Sequence, residues 1–172
     1  MRFDSVDSLR AEGFEGFKSV KELTQSCSDV SKEKGVYLVM YLGGNRPGFL
    51  PDFLPKGVGG FYKGDDPNGS LVELASSWVN GTIVLYIGQT GHSLRKRISQ
   101  YVKFGEGKSV SHHGGRYIWQ LKEHEDLVLC WRTCRSDSEN PKRIENELLS
   151  QFRTIYGKLP FANLPKEKRR DL

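Results

Sequence analysis

Three short apolar runs and two amphipathic stretches carry the hydrophobic pattern of this chain. Gly35-Val36-Tyr37-Leu38-Val39-Met40-Tyr41-Leu42 is dense in β-branched, aromatic and aliphatic residues, which predicts a strand. Thr82–Gly88 is apolar on both faces and predicts a central strand, broken by Gln89-Thr90-Gly91. Leu127–Thr133 predicts a third. Between them, Ser93 to Val102 repeats Leu94, Ile98 and Tyr101 at helical spacing, and a longer helix is predicted from Lys142 to Tyr156, with Gly157 placed to cap it. Ser19 and Glu22 form a capping-box pair ahead of a short helix through Leu23.

The remaining sequence is connection. Residues 1–34 read as a helical or irregular lead-in. Residues 43–81, rich in glycine and proline, read as a long loop-like insertion with a helical turn near Leu71–Trp78. Gly105–Gly115 is a loop, and Arg116–Leu121 a short helix. The predicted class is α+β: a small mixed, mostly antiparallel sheet of three strands or slightly more, flanked by helices, in one domain spanning 1–172.

Two charged residues break the helical pattern. Turning about 100° per residue, Arg97 falls on the face of Leu94, Ile98 and Tyr101, whereas Arg95 and Lys96 point elsewhere. In the longer helix, Ile144, Leu148, Leu149, Phe152, Ile155 and Tyr156 form one apolar arc, and Glu145 falls near its middle. A charge turned toward a core needs an opposite charge or a metal. An Arg97–Glu145 ion pair and a shared active site both satisfy that demand. Tyr37 and Tyr86, each on a predicted strand near a glycine, taken alone read as packing residues.

Charge changes the picture more than composition does. The 172-residue chain carries 26 basic and 21 acidic residues, a net +5. Between His92 and Lys122, however, seven basic residues stand against Glu106 alone. That clustering suits a polyanion such as nucleic acid. Residues 164–172 add Lys166, Lys168, Arg169 and Arg170 as a basic tail. No apolar run approaches the roughly 20 residues of a membrane span, and no secretory signal is evident at the N-terminus. Three cysteines without a framework spacing point to a reducing, cytoplasmic setting. Cys130 and Cys134, about 13 Å apart on a strand, cannot share one zinc and read as structural thiols.

Gly35-Val36-Tyr37 followed by Tyr86-Ile87-Gly88 resembles the paired signature of the GIY-YIG nuclease family. Arg97 in the next helix, Glu145 in the longer one and Asn163 after Pro160-Phe161-Ala162 follow in the family's order, so the match covers 35–42 and 82–163. The resemblance implies a metal-dependent endonuclease cutting phosphodiester bonds in DNA. Tyr37 and Tyr86 would lie beside the scissile phosphate and orient or deprotonate water, and Arg97 would neutralise developing charge. Glu145 would anchor one Mg²⁺ or Mn²⁺, Asn163 would steady the site, and Tyr101 matches a position that the family often fills with tyrosine or histidine.

A tyrosine is a poor base at neutral pH unless nearby positive charge lowers its pKa. His113, in the basic loop, is the other candidate to take the proton. Arg95, Lys96, Lys103, Lys108, His112 and Arg116 are the expected nucleic-acid contacts. Tyr37 and Tyr86 are 49 positions apart, a departure from the family's usual short connection. The insertion could extend the substrate surface or serve a dimer, so monomer and homodimer both stay open. Double-stranded DNA is the expected partner. A non-catalytic nucleic-acid-binding module on the same scaffold is the alternative.

Overall fold

The structure is a computed structural model that describes residues 1–44, 46–50, 59–60, 67–110 and 114–164. It is a mixed α+β fold built on an open sheet of four strands, β1 (Glu15–Ser19), β2 (Gly35–Met40), β3 (Val84–Thr90) and β4 (Val128–Thr133), in the order β1-β4-β2-β3. Every pairing is antiparallel. β2 is therefore central and buried at all six positions, which explains its unbroken apolar run. β3, read from sequence as central, lies at the open edge of the sheet.

Helices cover both faces. On one, α2 (Val20–Gln25) and α4 (Leu94–Gly105) close a core with Tyr37, Val39, Tyr86, Leu129 and Trp131. The stripe residues Leu94, Ile98 and Tyr101 are fully buried there. Each aliphatic side chain so placed contributes about 1.5–3 kcal/mol of transfer free energy. On the other face, α1 (Val6–Ala11) and α5 (Pro141–Tyr156) pack on Val36, Leu38, Met40, Val84, Ile87 and Cys130. α3 (Leu71–Ser77) lies in the insertion and begins with its own Ser70–Glu73 capping box. The capping box at Ser19 and Glu22 and the left-handed cap at Gly157 form as the sequence indicates.

Four expectations need correction. The lead-in contains an edge strand, β1, which the pattern did not reveal. Its Gly16 and Phe17 have positive φ, its ladder is irregular between Glu15 and Lys18, and its partner β4 lies more than a hundred residues on. Gln89 and Thr90 do not break β3; they pair with Val36 and Gly35. Ile155, assigned to the apolar arc of α5, is 52% exposed, whereas Phe152 and Tyr156 on the same helix pack against Phe3. Arg95 is no simple surface charge. Its Nε donates to the Val30 carbonyl at 2.8 Å and its guanidinium also reaches the Ser28 carbonyl, tying α4 to the segment before β2.

Candidate active site

Pairing register builds the first half of the site. Tyr37 on β2 lies opposite Gly88 on β3, and Val39 lies opposite Tyr86, so both tyrosines rise from the same face. α4 crosses that face and adds Tyr101. The three rings form one cluster: Tyr37–Tyr86 centroids are 5.9 Å apart, Tyr37–Tyr101 6.2 Å, and Tyr86–Tyr101 6.0 Å in a near-parallel stack. Such spacing is favourable for aromatic pairs.

The two off-pattern charges act on this cluster. Burial pushes the Tyr37 phenol up, and the Arg97 guanidinium opposes that push while Glu145 adds to it. Burial also drives Tyr86 well above the ordinary phenol range; Arg97 opposes it and Glu145 again reinforces it. Tyr101 is raised likewise, by burial and then by its tyrosine neighbours, with Arg97 pulling down. Arg97 and Glu145 thus reach one set of hydroxyls from helices on opposite faces of the sheet. The Tyr37 hydroxyl is buried without a hydrogen bond of full geometry, although Tyr86 and Arg97 come near enough to act on it.

Positive charge from Arg97 does favour the phenolate, but it does not outweigh desolvation, so the three phenols stay neutral at neutral pH.

Glu145 is mostly buried, with 12% of its side chain exposed, and its carboxylate pairs with Lys142 one helical turn back. Lys142, on the same helix, is the ion-pair partner of Glu145 among the described residues. Lys142 escaped the sequence reading, although its i,i+3 spacing from Glu145 was the available signal.

Asn163 grips β3 at the residue between Tyr86 and Gly88. Its Oδ1 accepts the Ile87 N–H at 2.8 Å and its Nδ2 donates to the Ile87 carbonyl at 2.7 Å. These bonds satisfy the edge of β3, which would otherwise face solvent unpaired. Gly114 and Gly115 lie against Tyr86. A Cβ at Gly114 would stand 2.9 Å from the Tyr86 hydroxyl, and Gly115 has φ +76° with its carbonyl accepting from the Tyr101 hydroxyl at 3.4 Å.

Of the expected nucleic-acid contacts, Lys96, Lys103 and Lys108 are exposed, and Lys108 pairs with Glu106 at 2.8 Å. Arg116 rests over the Tyr117 ring. Arg95 is engaged as described above. His112, His113 and the basic tail lie outside the described residues. Among the described residues, no three His, Cys, Asp or Glu side chains converge as a metal site, and no helix is long and apolar enough to cross a membrane. The three cysteines are free thiols, with Cys130 and Cys134 buried.

Residues 76–158, a little under half of the chain, match the family model of the GIY-YIG catalytic domain. That domain carries nuclease-type activity in general. No curated protein and no solved structure matches the chain. The matched segment contains Tyr86, Arg97 and Glu145 but neither Tyr37 nor Asn163. Those two join the site through β2–β3 pairing and the side-chain clamp on Ile87.

Proposed function

We propose that this chain, with its GIY-YIG catalytic-domain match, is a metal-dependent endonuclease hydrolysing phosphodiester bonds in DNA. The observation that carries the reading is the convergence of Arg97 and Glu145 on the hydroxyls of Tyr37 and Tyr86, with Arg97 acting also on Tyr101. Packing alone gives no reason to bring a cation, a carboxylate and three phenols to one place in a core, since each charge costs several kcal/mol to desolvate.

The donor chemistry fits a single Mg²⁺ or Mn²⁺. Glu145 offers a hard carboxylate that keeps some exposure, and water and phosphate oxygens would complete the shell of an ion held there. A divalent ion there would supply Lewis-acid stabilisation of the phosphate and leaving oxygen.

The chain's own groups then divide the work. Arg97 offsets charge building on the phosphoryl oxygens. Tyr37 and Tyr86, kept neutral by burial, donate hydrogen bonds and orient the attacking water. A separate group must accept its proton. His113 is our candidate, because Gly114, its chain neighbour, lies against the Tyr86 hydroxyl. Tyr101 backs Tyr86 by stacking, and Asn163 holds the strand between them and the solvent edge.

A second reading, a nucleic-acid-binding module without turnover, draws on the Lys142–Glu145 pair, which already neutralises the carboxylate. Supercoiled plasmid incubated with Mg²⁺ or Mn²⁺ separates the two. Nicking by the native chain, lost in Glu145→Gln with DNA binding retained, is the expected result. Binding without cleavage in both proteins would establish the module instead.

A further inference from the structure

The two ends of the insertion meet in a cavity that the catalytic reading does not use. It measures about 440 Å³ and opens where β2 ends and β3 begins, lined among others by Tyr41, Arg46, Trp78, Asn80 and Thr82. We propose that this cavity binds an unpaired nucleobase of a nucleic-acid strand, with Arg46 meeting the adjoining phosphate. The proposal rests on the nucleic-acid reading above and names a second point of contact for that substrate.

Its walls have the chemistry of a stacking platform. Tyr41 and Trp78 both line the cavity and keep part of their surface exposed. Gly43 presses so closely on the Tyr41 ring that a Cβ there would come within 2.3 Å of it, which fixes the ring's orientation. Trp78 packs on Phe161 at 5.3 Å and Phe49 at 6.5 Å, so its indole is held from behind. The Arg46 guanidinium lies 4.5 Å from the Phe49 centroid and 5.7 Å from that of Trp78 while staying exposed. An arginine stacked in this way keeps its N–H edge for phosphate. Asn80 accepts the Trp78 indole N–H at 3.1 Å, which leaves its amide donors for a base edge.

Rigid aromatic faces beside a cation are how proteins hold single strands with little sequence preference. The position also suits the site. Thr82 is four residues before Tyr86, on the segment that leads into β3. The insertion would thereby favour substrate that is unpaired or distorted near the cut.

The test uses the full chain without divalent metal, so that nothing is cut. Binding of a 12-nucleotide single strand is compared with binding of an abasic strand of equal length. The base-containing strand is expected to bind about tenfold tighter and to quench tryptophan emission, with the quenching absent in Trp78→Phe. Tyr41→Ala should lower affinity for the base-containing strand severalfold and leave the abasic strand unchanged. Arg46→Gln should weaken both.

Equal affinity for the two strands in the native chain would overturn the proposal. So would a Tyr41→Ala chain that binds like the native one, or one in which only self-association changes. Plasmid cleavage by the native chain, measured separately with Mg²⁺, reports on the nuclease reading itself. The cavity can therefore fail as a base site while cleavage stands, and the reverse.

Discussion

Gly88 lies directly across the β2–β3 ladder from Tyr37, and a Cβ at Gly88 would come within 2.6 Å of the Tyr37 ring. The missing side chain on one strand is the space that the tyrosine on the other occupies. This relationship gives the glycine of Tyr86-Ile87-Gly88 a physical reason that needs no left-handed backbone.

Gly88→Ala is accordingly expected to displace Tyr37. Overpacking of this kind costs about 1–3 kcal/mol. Chemical denaturation should show that loss, and plasmid nicking should fall by more than the folded fraction does. A variant with native stability and native nicking would contradict the assigned contact.

Raised phenols make a pH prediction. Tyr37, Tyr86 and Tyr101 have folded pKa values above the unfolded value near 10. Their neutral forms therefore favour the fold fully below pH 10, and that contribution is lost as pH rises through the folded values. Ultraviolet titration should show these three phenols ionising only with alkaline unfolding. Near neutrality, any pH dependence of cleavage should come from another group, and His113→Ala should remove it if that histidine is the base. Early ionisation of a buried phenol would restore tyrosine as the base.

Lys142 sits where a divalent ion would have to compete for Glu145. It is 52% exposed, so the pair is partly screened and worth about 0.2–1 kcal/mol. Lys142→Ala should tighten Mn²⁺ binding by up to about fivefold, read by calorimetry or by Mn²⁺ paramagnetic resonance without substrate. Unchanged or weaker binding would mean that the ion sits elsewhere.

Removing the Asn163 clamp should be felt at β3. Asn163→Ala leaves the Ile87 N–H and carbonyl without protein partners, at a cost of about 1–3 kcal/mol. Amide exchange at Ile87 should accelerate and nicking should slow. Asn163→Asp keeps the acceptor for the Ile87 N–H but loses the donor, so it should lie between the two.

The sequence alone determined the strand and helix periods and the residues that violate them. Arg97 and Glu145 were legible because a charge on an apolar face violates a local 3.6-residue rule, and such rules need only neighbours in the chain. Tyr37 and Tyr86 were legible as a signature, though local pattern made them look like ordinary packing. Tertiary structure decided what no local rule contains. Pairing across 51 positions set Tyr37 against Gly88, and β1 became a strand only because β4 offers it an edge. The carbonyls of Val30 and Ser28 hold the Arg95 guanidinium, and the Glu145 carboxylate pairs with Lys142. Side-chain partners of this kind depend on where distant segments of backbone come to rest, and burial energy fixes that for the chain as a whole.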